Sequence, residues 1–351
     1  MPKPTLSKRC SPSNLIKLML AVLALLALTH CPGCVGQHEK EVIVYSALDK
    51  EFSQPILKQF ESQTGIKVLA KFDVESQKTV GLANEIVQTQ KRPRADVFWN
   101  NEILHTLRLK KLGLLDVYRS KHADHFAASF VSETDHWHGL AARARVLIVN
   151  TDLIPDAKDR PTSIHDLVDP HWQNRCGIAK PLFGTSATHA TVLFDRWGAE
   201  TAEAFFTKVK ENAIVESGNK QVAIHVAQGR YAWGITDTDD AIIEIDRGQP
   251  VVMVFPDQDV DQEGTLLIPN TLAIVKGGPN AKQARQLVDF LLEGKVEKQL
   301  AEGRSAQFPL SENVSTVSRA DPEGLRIMQV DFESAADSWE TATKFLAEQF
   351  R

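Results

Sequence analysis

Residues 236–240 read Thr-Asp-Thr-Asp-Asp, three carboxylates and two hydroxyls directly after the apolar run AWGI. Several kinds of chemistry use such groups. Asp237, Asp239 and Asp240 could give hard oxygen ligands to a metal ion. Paired carboxylates could do acid–base work, one Asp could cap a helix, or the run could face a small ligand. The stretch DTDDAIIEIDRG places Ile242 and Ile245 on one helix face, with Gly248 after it. That makes one Asp an N-cap and puts Asp239 and Asp240 in the first turn, where the macrodipole favours negative charge. Thr236, Asp237 and Thr238 are left as the residues expected to meet a ligand.

Other stretches invite comparable readings. PLFGTSATHA sets Gly184, Thr185, Ser186 and Thr188 at the start of an amphipathic helix. Backbone N–H groups there, with hydroxyls beside them, suit a carboxylate, phosphate or phosphonate. Ser46 and Ala47 stand where the first strand ends and its helix begins, a second such terminus. SGNK (217–220) is a third helix start, where Ser217 and Asn219 could cap or bind. Asn100 and Asn101 follow a buried strand, and Glu102 suits a helix N-terminus. Arg143 and Arg145 lie one residue apart in an extended run, hence on one face, for bidentate pairing with an anion or for salt bridges. The histidines of HADH (122–125) and HWH (136–138) lack metal-site spacing and read as surface structure. No GxSxG elbow, P-loop or GxGxxG is present, and Ser186 with His189 lacks an orienting third group. Catalysis is not expected, nor is a catalytic cofactor.

The elements that must position these residues alternate. EVIVYSA, IKVLAKF and RPRADVFWN are strand patterns separated by helical ones, and the same alternation resumes from CGIAKP to VVMVFP. Two long extended signals, WHGLAARARVLIVNTDL and GTLLIPNTLAIVKGG, interrupt it; the second contains Pro269 and Asn270. The reading is an α/β chain with two lobes, joined by extended crossings near 140–146 and 264–272, with a ligand cleft between them. Lobe one is 41–142, lobe two 143–266, and 267–351 returns to lobe one with C-terminal helices.

The N-terminus reads as a leader. Lys3, Lys8, Arg9 and Lys17 precede a short apolar run that ends in CPGC, the pattern of a secretory signal over residues 1–34. The cysteine placement resembles the lipobox of bacterial lipoproteins, which implies lipid attachment at Cys34 or, alternatively, Cys31. Beyond the leader only Cys176 remains, so with Cys34 lipidated no internal disulfide can form. The whole chain has 40 Lys+Arg and 45 Asp+Glu, and residues 1–38 hold four of the basic side chains and none of the acidic ones. The rest therefore carries 40 − 4 = 36 against 45, a net −9, which disfavours nucleic acid as a partner.

Several segments together resemble bacterial extracellular solute-binding proteins, the type-2 periplasmic class that feeds ABC importers, in the branch with ferric-iron and phosphonate binders. VIVYSALDKEF, RPRADVFWNNEI, GLAARARVLIVNTDL, PLFGTSATHA, AWGITDTDDA and GTLLIPNTLAIVKGGPNAKQARQLVDFLL carry the resemblance. It implies a two-lobed fold with a two-strand hinge, an interlobe ligand cleft, and a membrane permease as partner. It also places Asn101 where ferric binders carry a Glu, and puts the TDTDD run in place of their tandem tyrosines; Tyr231 lies upstream. The expected solute is a small phosphorylated or phosphonate compound, with Ser46, Ala47, Asn101, Thr185, Ser186, Thr188, Thr236, Asp237 and Thr238 as its contacts. The alternative is a transported metal ion on Asp237, Asp239 and Asp240; a ligand-sensing receptor component is the third reading.

Overall fold

In a computed structural model, residues 1–2, 40–73, 79–322 and 324–351 are described. The leader, with Cys31 and Cys34, lies outside them. The β-branched run EVIVYS forms β1 (Glu41–Ser46), followed by α1 (Lys50–Thr64), β2 (Lys67–Phe72), α2 (Val80–Gln88), β3 (Val97–Asn100) and α3 (Leu104–Lys111). The apolar face of α1 buries Phe52, Ile56 and Phe60, and Gly65 ends the helix at φ 68°, donating its N–H to Glu61. Parallel pairing of β1 with β2 and β3 follows from the helices between them.

Next comes β4 (His138–Asn150), buried along all 13 residues. The second alternation supplies β5 (Cys176–Ala179), α4 (Gly184–Trp197), α5 (Ala199–Asn212), β6 (Ile214–Glu216) and α6 (Asn219–Ala227). It continues with β7 (Trp233–Asp237), α7 (Thr238–Asp246) and β8 (Val251–Val254), after which β9 (Leu267–Ile274) returns. The chain closes with α8 (Ala281–Leu291), α9 (Gly294–Glu302), α10 (Phe332–Asp337) and α11 (Trp339–Phe350).

The sheet order is β2-β1-β3-β9-β4-β7-β5-β6, with β8 also on β4. The two long extended signals of the sequence are thus β4 and β9, an antiparallel pair running from His138↔Leu272 to Ala144↔Leu267. One end of β4 serves one wing through β9, and the other end serves the second wing through β7 and β8.

Pro269 explains a kink in this pair. It has no N–H to give to β4, and the ladder shifts between Leu140 and Ala142. Ala142 exchanges hydrogen bonds of 2.8 Å with Phe308 instead. Ala141 adopts φ 52°, uncommon for a residue with a Cβ. Its N–H is taken by the buried Glu297 carboxylate at 2.7 Å, and Asn270 Nδ2 donates to the carbonyls of Leu140 and Ala141. Glu297 also accepts from the Leu310 and Ser311 N–H groups at 3.0 and 2.9 Å.

The tail differs from expectation. Ala342, Leu346 and Phe350 of α11 pack into the cluster of Leu193, Phe194 and Phe206, which belongs to the 143–266 wing. The last helix of the returning segment therefore sits on the other wing, because its apolar stripe finds uncovered aromatic surface on α4 and α5.

Candidate functional site

The antiparallel register sets Arg145 opposite Asp237, and strand alternation brings Arg143 to the same face. Arg145 Nη1 donates to Asp237 Oδ1 at 2.6 Å. Arg143 Nη1 donates to Asp237 Oδ2 at 3.3 Å and to Asp239 Oδ2 at 3.5 Å. All four side chains are buried. Burial alone would push the Asp237 carboxyl up, but Arg145, Arg143 and the Thr185 hydroxyl outweigh it and hold it below the usual carboxylate range. Burial likewise opposes the Arg143 cation, and Asp239 and Asp237 more than offset that, raising its pKa.

Asp237 takes the N-cap position of α7, yet its side chain makes no capping bond. The placement is the expected one, with Asp239 and Asp240 in the first turn, but two guanidiniums hold the Asp237 carboxylate in place of the helix N–H groups. The oxygens of Asp237, Asp239 and Asp240 do lie within 4.8 Å of one another, as a metal site would require. Arg143 and Arg145 already supply positive charge there.

Two helices start against this cluster. Thr185 Oγ1, in the first turn of α4, donates to Asp237 Oδ2 at 2.6 Å, and Ser186 Oγ donates to Asn219 Oδ1 at 3.0 Å. Asn219, the first residue of α6, donates from Nδ2 to Thr185 Oγ1 and Asp237 Oδ2 at 2.9 and 3.0 Å. Neither helix has a capping side-chain bond: the cap positions are Phe183 and Gly218. A small pocket of about 30 Å³ lies over these termini, lined by Gly184, Thr185, Ser186, Ser217, Gly218 and Asn219. Ala179, Lys180, Phe183, Asp237 and Asp240 complete its second-wing side, and Asn101 and Arg143 close it. Arg143 Nη2 donates to the Asn101 carbonyl, tying the end of β3 to the hinge strand.

Of the nine expected solute contacts, Asn101, Thr185, Ser186 and Asp237 line this pocket together, with Arg143, Gly184, Ser217 and Asn219, which the sequence also offered. Asp239 and Asp240 stand beside Asp237, with Asp240 also in the lining. The others are placed differently. Ser46 Oγ donates to the Leu48 carbonyl at 3.2 Å, and the Ala47 N–H goes to the Trp99 carbonyl at 2.8 Å, so both are spent within the first wing. Thr188 Oγ1 donates to Glu102 Oε2 at 2.9 Å. Thr236 Oγ1 donates to the Asn219 carbonyl, and Thr238 Oγ1 accepts from the Ala144 N–H. Glu102 accepts from the Leu104 and His105 N–H groups at the start of α3, the helix-terminal role its position suggested. Lys180 and Phe183 carry no motif and were not singled out; only the end of β5 beside PLFG could have pointed to Lys180.

His138 departs from its surface reading: it opens β4, is buried, and accepts from the Ser120 N–H at Nε2. Burial pushes the imidazoles of His105 and His189 down to about 3 and that of His138 to about 4. Unfolded, each would take up a proton near pH 6.5 (about the model-peptide value). Between that pH and the lowered folded values, the unfolded chain binds more protons, so stability falls as pH falls. Each histidine is expected to remove about 1.4 kcal/mol per pH unit in that window. His105 packs edge-on to Trp339, and neither ring nitrogen has a partner among the described residues. His105→Phe should therefore flatten the urea midpoint against pH between 6.5 and 5; an unchanged slope would contradict this assignment.

Comparison with known proteins follows this geometry. Residues 96–336 match the family model described as bacterial extracellular solute-binding protein. The major ferric iron-binding protein of Neisseria meningitidis is 25% identical, over 87% of this chain and 92% of that protein. A putative 2-aminoethylphosphonate-binding periplasmic protein of Salmonella typhi is 24% identical, over 60% of this chain and 65% of that protein. The periplasmic binding protein AfuA of Actinobacillus pleuropneumoniae, solved with fructose-6-phosphate, superposes with a TM-score of 0.78 at 21% identity, covering 89% of this chain and 99% of AfuA. The fold is accordingly the two-lobed, type-2 periplasmic one, with the β4–β9 pair joining its two wings. The chain belongs to the bacterial extracellular solute-binding protein family.

Proposed function

We propose that this protein is the substrate-binding component of an ABC importer and that it captures a small organic phosphate or phosphonate by lobe closure. The lobes are 41–142 with the return after 267, and 143–266 with the C-terminal helix packed on it. The observation that carries the reading is the convergence of two helix N-termini, neither capped by a side chain, on one pocket that also holds Lys180. Unpaired N–H groups at such termini, oriented with the helix dipole, favour an anion. Asp240 on the same wall can accept a hydrogen bond from an amine or hydroxyl of the solute. Asn101 and Arg143 contact the ligand from the hinge side, so binding favours the closed state over the open one. The AfuA structure with a sugar phosphate and the aminoethylphosphonate-type relatives support this class. Export and acylation at Cys34, or at Cys31, belong to the same reading, as does docking on a membrane permease.

A second reading, a transported ferric ion, draws on the Asp237, Asp239 and Asp240 oxygens and on the ferric relatives. The buried arginines argue against it, since a trivalent ion would have to displace or sit beside two guanidiniums. Thermal denaturation separates the two. Methylphosphonate or a sugar phosphate at ~100 times its Kd should stabilise the protein by about 2.7 kcal/mol. A shift with ferric citrate and none with any phosphonate or phosphate ester would overturn the proposal.

A further inference from the structure

Two helices, α3 of lobe one and α4 of lobe two, start beside the polar pocket: Asn101, just ahead of α3, and Gly184 and Thr185 of α4 line it. The lobes touch next to these starts, where Thr188 Oγ1 donates to Glu102 Oε2 at 2.9 Å in a buried contact. Farther along, α10 packs against both helices. Ser334 Oγ donates to Asp195 Oδ1 at 2.9 Å and Arg196 Nη1 donates to the Gln329 carbonyl at 2.8 Å, which fastens this segment to α4. Through Ala342, Leu346 and Phe350, α11 continues onto the same lobe. The C-terminal helices are thus a projection of lobe two that reaches past the lobe contact to α3.

Between that projection and lobe one lies a groove of about 1060 Å³. Val80, Val87, Leu107 and Leu112 stand on its lobe-one wall, and Ala336 and Trp339 on the other. Leu112 is 51% exposed, and Val80, Val87 and Trp339 are half-buried, so apolar surface faces open space here. Two ion pairs, Lys110 with Glu333 and Lys111 with Asp337, cross from wall to wall. Partly exposed pairs on such long side chains follow a change in wall spacing at little cost. Lys110 lies eight residues beyond Glu102 and Asp195 seven beyond Thr188, roughly 10–12 Å along each chain at helical rise. Thr185 lies on the other side of the same contact, about 5 Å back.

We propose that this groove is the counterpart of the ligand cleft. The lobes turn about the Thr188–Glu102 contact, so opening the cleft narrows the groove and closing the cleft widens it. Narrowing brings Val87 and Leu112 towards Ala336 and Trp339 and removes apolar surface from water, which stabilises the open, unliganded form. The solute must supply the free energy that exposes this surface again, so the groove tunes affinity without touching the ligand. This inference rests on the lobe-closure reading above and is independent of which solute is bound.

Ala336→Trp and Leu112→Trp test it by adding bulk on opposite walls, away from the polar pocket. Either should keep the groove from narrowing and raise the closed fraction before any solute is added. Small-angle X-ray scattering of the unliganded whole protein should then give a smaller radius of gyration than the parent's. If the unliganded closed form is near 10%, raising it above half tightens methylphosphonate binding at least about fivefold in calorimetry. Damage to the fold weakens binding, so a tighter Kd separates this lever from a merely structural effect. The second variant covers a failure of the first to fold. A folded variant with the parent's radius of gyration and Kd, or with weaker binding, overturns the lever alone. If methylphosphonate binds neither parent nor variant, the anion reading falls, and the scattering comparison by itself decides for or against the lever.

Discussion

Asp237→Ala is expected to cost about 3–5 kcal/mol of folding stability and to abolish solute binding. The carboxylate accepts from the buried Arg145, Arg143 and Thr185 and from the half-buried Asn219. Removing it leaves Arg145 with no remaining salt-bridge partner in the cluster and Arg143 with Asp239. Uncompensated buried charge, rather than the lost bonds themselves, makes the penalty large. The paired change Arg145→Met with Asp237→Leu separates the two effects. It removes both charges at similar bulk, so most of the stability should return. Binding should not return, because Thr185 and Asn219 lose the group that orients their side chains beside the pocket. Urea denaturation reads the first effect and calorimetry the second. A single variant within about 1 kcal/mol of the parent would show that the cluster is not a desolvated charge network.

Glu297→Ala is expected to be comparably damaging, about 3 kcal/mol or more. This side chain satisfies the N–H groups of Ala141, Leu310 and Ser311, and the first belongs to the strained bulge of the hinge strand. Burial pushes its carboxyl up, with those three donors pulling the other way. Alanine would strand all three donors in a buried site. Glu297→Gln keeps one carbonyl oxygen for Ala141 and Leu310 but turns an NH₂ towards the Ser311 N–H, so an intermediate loss is expected. The bulge lies on one of two hinge strands, so the Gln variant should also change solute affinity without touching the pocket. Equal stability of the Ala variant and the parent in urea denaturation would refute this account of the bulge.

The architecture was legible because its signals are local and periodic. β-branched runs, amphipathic helices and glycine stops gave the alternation, and the two long extended runs gave β4 and β9. The TDTDD and PLFGTS stretches could be read as facing one site because strand ends and helix starts are visible in sequence. What could not be read was pairing at a distance. Arg143 and Arg145 stand 94 and 92 residues from Asp237, and nothing local says that they, rather than water or a metal, neutralise it. Asn219 looked like a cap for the same reason: its bonds to Thr185 and Asp237 exist only once α4, α6 and β7 meet. Ser46 and Ala47 misled because a helix start gives no hint of which neighbour absorbs its polar groups; Leu48 and Trp99 do so here. The C-terminal helix joined the opposite wing because an apolar stripe records that a helix is covered, never by what.

The central claim, an organic anion held on the N-termini of α4 and α6, has a direct test in amide NMR during titration with methylphosphonate. The backbone amide signals of Thr185, Ser186 and Asn219 should move saturably and together, with smaller changes at Asn101. Unmoved signals at those three positions, with ferric ion instead perturbing Asp237 to Asp240, would contradict the account.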